Sequence, residues 1–244
     1  MRILLLVFLL LVKPVMAGPV VHLTSLSWPP YADPQLPQQG ASIAVARAAF
    51  AAVGYELVVD FYPWSRAVYL AGDEGSEYAG YFPEYFSQAI SQEFIFSDAM
   101  GSGPLGLVQN AAKPLLWQNL ADLTHFRIGV VKDYVNTREF DALVAANVLQ
   151  VAEVLTDKSN IQKTAYLRID GAVIDRNVLE FSLKTDPELQ PLAGKVSFNE
   201  RLLENKQLYV CFKKSRPEVA RLFNEGLQKI DAAKIQADYL AGLK

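Results

Sequence analysis

Metal or nucleophilic chemistry in this chain would have to begin from one cysteine and two histidines among 244 residues. His22 and His125 lie far apart, with no cysteine or carboxylate at ligand spacing, so no metal site is expected. Cys211 sits in the strand-like run Leu208-Tyr209-Val210-Cys211-Phe212, which suits a small core hydrophobe rather than a reactive thiol. A single cysteine makes no internal disulfide. The sequence holds no glycine-rich phosphate loop, and no cofactor is expected. One carboxylate does ask for a role. Asp175 ends the apolar run Gly171 to Ile174, and burying a carboxylate unpaired is costly. It could meet a bound cation, pair with Arg176, or cap a helix from Val178 onward.

The elements that would position these groups alternate between short apolar runs and segments of helical period, the pattern of an α/β protein. Strands are expected at Val20–Leu26, Leu57–Phe61, Phe94–Phe96, up to Val108, Arg127–Val131, Val148–Val154, Gly171–Ile174 and Leu208–Phe212. Helices are expected at Ala41–Val53, from Pro63, at Val135–Ala146, Ser159–Leu167, Val178–Lys184 and Pro217–Ile230. The chain reads as two similar α/β halves, long enough to bury a substantial core.

The N-terminus carries an address. Met1-Arg2 precedes the ten-residue apolar run Ile3 to Val12, about half the ~20 residues a membrane-spanning helix needs. Val15 and Ala17 supply the small residues of a cleavage site, so residues 1–17 read as a signal peptide cleaved after Ala17. Cleavage also removes Arg2 and Lys13, which takes the formal net charge from −3 to −5. That acidic balance argues against nucleic-acid partners and against an anionic membrane face.

Several segments in order resemble the family-3 solute-binding proteins of bacterial periplasms. They are Trp28-Pro29-Pro30-Tyr31, Trp64-Ser65-Arg66, Phe94-Ile95-Phe96-Ser97-Asp98, Ile128-Gly129-Val130-Val131, Arg168 to Asp175, and Leu208 to Lys214 followed by the helix after Pro217. The resemblance covers nearly the whole chain after residue 17. It implies a two-lobed, type 2 periplasmic-binding-protein-like α/β fold with two hinge crossings and a ligand cleft between the lobes. Lobe 1 would comprise residues 18–102 and 208–244, lobe 2 residues 103–207, with flexing near Ser102-Gly103 and Asn205-Lys206. A periplasmic monomer is expected, which captures a small solute, closes by hinge motion and presents itself to a membrane permease or to a sensor receptor. Catalysis is not expected. A dehydratase on the same scaffold would need Glu84, Asp133 or Asp175 as its acid or base, and no paired arrangement is evident.

The resemblance also assigns site positions. Trp64 matches a ring that stacks on ligand, Trp28 and Tyr31 border the same cleft, and Asp175 matches the acidic residue that meets the ligand's amino group. Phe82 and Tyr85 stand where small hydroxyl or backbone contacts are usual, and Tyr134 lies in the lobe-2 ligand loop Lys132-Asp133-Tyr134-Val135. The helix after that loop would offer free N–H groups to an anion. The carboxylate-clamping arginine, seven residues before Ser97, is replaced by Ile90. Arg66 is a cation near that side of the cleft, as a substitute clamp or as a brace for Asp60 or Glu56. An aromatic or amine-bearing solute therefore fits these residues better than a standard α-amino acid.

Overall fold

The computed structural model describes residues 18–243, so the apolar leader and its cleavage point lie outside the described residues. The first half runs through β1 (Val20–Ser25), α1 (Ala41–Ala52), β2 (Glu56–Phe61), α2 (Trp64–Gly72), β3 (Gly80–Tyr85) and β4 (Phe94–Phe96). The long strand β5 (Gly101–Asn110) crosses into the second half. There follow β6 (Ile128–Val131), α3 (Arg138–Ala145), β7 (Val151–Val154), α4 (Asp157–Ala165), β8 (Gly171–Asp175), α5 (Arg176–Thr185) and β9 (Val196–Phe198). A second long strand, β10 (Glu204–Lys213), crosses back, and α6 (Pro217–Leu227) and α7 (Ala232–Ala241) follow it.

The strands join in the order β2-β1-β3-β10-β5-β8-β6-β7, with β4 on β10 and β9 on β5. β1 is parallel to β2 and β3, and β6 is parallel to β7 and β8. Each half thus repeats one winding, and β5 and β10 run antiparallel between the halves. Their register sets Gly103 opposite Lys206 and Pro104 opposite Asn205, so the two expected hinge points face each other across one ladder. The sequence places the last strand at Leu208–Phe212. In the structure it begins at Glu204, because pairing with β5 draws the polar residues 204–207 into the sheet.

Caps set the helix starts, and three differ from the sequence reading. Thr137 accepts from Phe140 N–H and starts α3 at Arg138 instead of Val135. Thr156 accepts from Ser159 N–H and starts α4 at Asp157, so Ser159 is inside the helix and not its cap. Asp175 starts α5 two residues before Val178.

Leu23, Val45, Phe50, Phe82, Phe212 and Phe223 form the core of the first lobe. Leu107, Ile128, Phe140, Ile161, Val173 and Leu179 belong to a second cluster that continues through Trp28, Tyr31, Tyr85 and Leu208 of the first lobe. Cys211 is fully buried, as its apolar context requires. Helices α1 and α6 touch where Gly226 meets the Ala49 backbone, and a Cβ at 226 would overlap the Ala49 carbonyl. Gly226→Ala should therefore lower the unfolding free energy by about 1–3 kcal/mol, the usual range for overpacking. Denaturant unfolding measures this, and an unchanged midpoint would contradict the close packing.

Candidate functional site

In open α/β sheets, ligands meet the loops at the carboxyl ends of parallel strands. Here the loops after β1 and β2 face those after β6 and β7 across a groove of about 650 Å³. The groove is bordered by Trp28, Trp64 and Tyr134, with Asp157 among its lining groups. It shares these three rings and Leu26 with an inner cavity of about 30 Å³, whose remaining wall is Pro83, Glu84, Tyr85, Val135 and Leu208.

Four of the eight residues singled out in the sequence therefore come together: Trp28, Trp64, Tyr85 and Tyr134. The other four sit elsewhere. Tyr31 is fully buried behind Trp28, with ring centroids 4.7 Å apart, and its hydroxyl lies 3.1 Å from the Asp175 carboxylate. The Asn177 side-chain amide donates to the same hydroxyl at 2.7 Å. Asp175 accepts from Asn177 N–H (2.7 Å) and Val178 N–H (3.2 Å). Of its three possible roles, the structure shows the helix cap, joined to a bond between the lobes. Gly103 permits this contact, since a Cβ there would collide with both the Asp175 carboxylate and the Tyr31 hydroxyl.

Phe82 does not reach the cleft; alternation along β3 turns it into the first lobe's core while Tyr85 faces the cavity. Arg66 is exposed, with its guanidinium 5.5 Å over the Tyr62 ring, and braces that ring instead of clamping a ligand or pairing with Asp60 or Glu56. Ile90 packs against the cluster of Tyr81, Phe94 and Cys211. The helix expected directly after β6 starts later, and part of its first turn is already occupied. The helix begins at Arg138, the Phe140 N–H is taken by Thr137, and the Asp141 carboxylate accepts from Asn136 N–H at 2.9 Å.

A second set of bonds spans the cleft near its mouth. Trp64 donates its indole N–H to the Asp133 carbonyl at 3.1 Å, and Ser65 donates its hydroxyl to the Asp133 carboxylate at 2.6 Å. Trp64 and Ser65 open α2, whose first turn has no acidic residue of its own. The Asp133 charge thus sits where the helix dipole favours an anion. The rings meet at steep angles: Trp64 and Tyr134 are 6.0 Å apart at 80°, Trp28 and Tyr85 6.0 Å apart at 83°.

Buried carboxyl groups set the electrostatics. Burial pushes Glu84 up to about 8, against the opposing pull of the Tyr85 N–H, the Tyr81 hydroxyl and Lys206. Asp157 rises to about 7 through burial, with the Trp28 side chain opposing. Burial also raises Asp175 to about 7, against its two backbone donors and Tyr31, with the Asp157 charge adding to the rise. Among the described residues, the cations lining the groove are Lys132 and Lys158. Lys158 is 2.9 Å from both Asp186 and Glu188.

Two of these lining groups, Asp157 and Glu84, stand outside the site positions that the resemblance assigns. The sequence pattern starts this helix at Ser159 and leaves Asp157 before it; Thr156 followed by an acidic first-turn residue is the available signal. Glu84 was noticed only as an acid–base candidate. Its signal was a lone carboxylate inside Tyr81-Phe82-Pro83-Glu84-Tyr85-Phe86.

No protein-family model matches the chain, and no curated protein matches it in sequence. Solved structures do. The periplasmic VFT2 domain of Bordetella pertussis BvgS superposes with a TM-score of 0.74 at 14% identity, covering 93% of this chain and 94% of that one. A histidine kinase sensor domain with similarity to periplasmic binding proteins gives 0.74 at 14% identity, covering 92% and 94%. An arginine transport-system periplasmic binding protein from Legionella pneumophila gives 0.72 at 12% identity, covering 93% and 100%. These likenesses define the fold: two-lobed, α/β and of the type 2 periplasmic-binding-protein kind, as the sequence resemblance implies.

The raised carboxyls carry a pH signature. Glu84, Asp157 and Asp175 hold protons in the folded state between their ordinary pKa near 4 and their folded values of about 7 to 8. In that window the native state binds more protons than the unfolded chain, so stability falls as pH rises. The melting temperature of the protein without added solute should therefore decline from pH 5 to pH 8. A profile that rises across this range would contradict the burial of these groups.

Proposed function

We propose that the chain is an exported solute-binding protein that captures a small amine-bearing or aromatic solute between its lobes. In this reading residues 18–102 and 208–244 form one binding lobe and residues 103–207 the other, with β5 and β10 as the moving crossings. The observation that carries the proposal is the groove itself: aromatic walls from both lobes beside buried carboxyl groups. Such a site favours a cation with an apolar or flat body. The nearest large carboxylate clamp expected of an amino-acid site, an arginine, is replaced by Ile90, which packs in the first lobe. A dehydratase is the weaker reading, because Asp133 and Asp175 are both engaged in bonds that hold the lobes and cap a helix.

The proposed location is the periplasm, where the signal peptide would deliver the protein. Its partner would be the permease of an ABC importer. A sensory role is the second reading, favoured by the direct bonds Tyr31–Asp175 and Ser65–Asp133, which stabilise closure without help from solute. The sensor domains among the structural neighbours accord with it.

A thermal-shift screen of the mature protein against amines, polyamines, amino acids and aromatic acids tests the binding claim. A true cleft ligand at a hundredfold excess over Kd should add about 2.7 kcal/mol of apparent stability. Asp157→Asn should weaken an amine ligand about tenfold, the scale of one charge-assisted hydrogen bond. Stabilisation by none of these classes would count against the proposal, and equal amine affinity in Asp157→Asn against the role of that carboxylate.

A further inference from the structure

The inner cavity has a chemistry of its own. Its volume of about 30 Å³ is roughly twice what one ordered water requires, so it accommodates a group of about two heavy atoms. Two of its lining residues bear on what could enter it, Glu84 and Tyr85. The Tyr85 hydroxyl is buried and has no hydrogen-bond partner among the described residues. Such an orphan is costly and points to a group that should meet it. The other is the Glu84 carboxyl, held in place by Tyr85 N–H at 2.7 Å and by the Tyr81 hydroxyl at 3.2 Å. A carboxyl oxygen accepts more than one hydrogen bond, so both anchored oxygens keep acceptor capacity. The remaining walls are the steeply set rings of Trp28, Trp64 and Tyr134, with Leu26, Pro83, Val135 and Leu208.

We propose that this cavity is the head-group subsite of the cleft and takes a primary ammonium on a methylene, –CH2–NH3+. The inference rests on the reading of the cleft as a solute site and names the end of the solute that enters first. A primary ammonium has three N–H donors. Glu84 accepts one, the Tyr85 hydroxyl oxygen accepts another, and the third faces the indole and phenol rings. Size decides against a quaternary ammonium, whose four carbons exceed the cavity. Once Glu84 is ionised, charge decides against a carboxylate, which would be set beside it. The rest of the solute extends into the groove past Trp28 and Trp64 toward Asp157.

The charged surroundings of Glu84 bear on the proposal. From β10, Lys206 lies 5.3 Å over the Tyr85 ring and within 3.7 Å of Glu204, which offsets its charge. From β3 come Tyr81 and Tyr85, and Cys211 of β10 borders Tyr81 and Glu84. Across the cleft Tyr134 feels both Asp157 and Glu84, and Tyr85 also feels Asp175 and Tyr31. An arriving ammonium favours the ionised carboxylate, so binding should release a proton from Glu84. Affinity should then rise with pH from 6 to 8, where the empty site still holds that proton.

The three tryptophans provide the readout. Trp28 and Trp64 line the cavity, while Trp117 donates to Asn199 in the second lobe and serves as an internal control. Ethylammonium titrated into 15N-labelled mature protein should shift the indole N–H resonances of Trp28 and Trp64 and leave Trp117 unmoved. Tetramethylammonium, ethanol and acetate should not shift the pair. Glu84→Gln keeps the shape and should weaken ethylammonium at least about tenfold; Tyr85→Phe, which removes only the orphan hydroxyl, should weaken it several-fold. Equal response to ethanol or acetate, or undiminished binding in Glu84→Gln, would overturn the subsite. If a solute from the thermal-shift screen stabilises the protein while ethylammonium leaves both indoles unmoved, the subsite falls and the cleft reading stands. If no solute stabilises the protein and ethylammonium is also silent, both fall.

Discussion

The pairing of β5 with β10 is the constraint from which the rest of the structure follows. Each is ten residues long, and their antiparallel ladder ties both halves of the chain into one sheet. Because both crossings lie in this ladder, the loops at the carboxyl ends of β1 and β2 are held facing those of β6 and β7. A cleft between lobes is the geometric result. Gly103, at the centre of the ladder, leaves the space in which Tyr31 and Asp175 meet.

That contact explains how a buried carboxylate can be structural and still matter to the site. Asp175 offsets its desolvation by accepting two backbone N–H groups at the start of α5 and by meeting a phenol from the opposite lobe. Tyr31 in turn stacks on Trp28, so the latch fixes one wall of the groove. At the mouth, Asp133 does similar work for Trp64. The aromatic walls are thus placed by polar bonds between the lobes. In the proposed binding role, solute capture and lobe closure would act through the same residues.

Much of this was legible in the sequence. The alternation of apolar runs with helical segments reported the α/β winding, and Trp28, Trp64, Tyr85 and Tyr134 were recognisable as cleft aromatics. What escaped depended on detail below the level of pattern. Phe82 and Tyr85 look alike in sequence, yet the alternation of side chains along β3 sends one to the core and the other to the cavity. Asp157 escapes the helical pattern because the Thr156 cap starts α4 two residues before Ser159. The pairing of Tyr31 with Asp175 spans 144 positions, and no local signal reveals it.

The groove between the lobes is proposed as an acidic, aromatic site for the amine end of a small solute. Crystals of the mature protein grown with a saturating linear diamine test it most directly. The difference density should place one nitrogen within hydrogen-bond distance of Glu84, with the chain running between Trp28 and Trp64 toward Asp157. A diamine bound elsewhere, or a groove without ordered diamine at saturation, would contradict it.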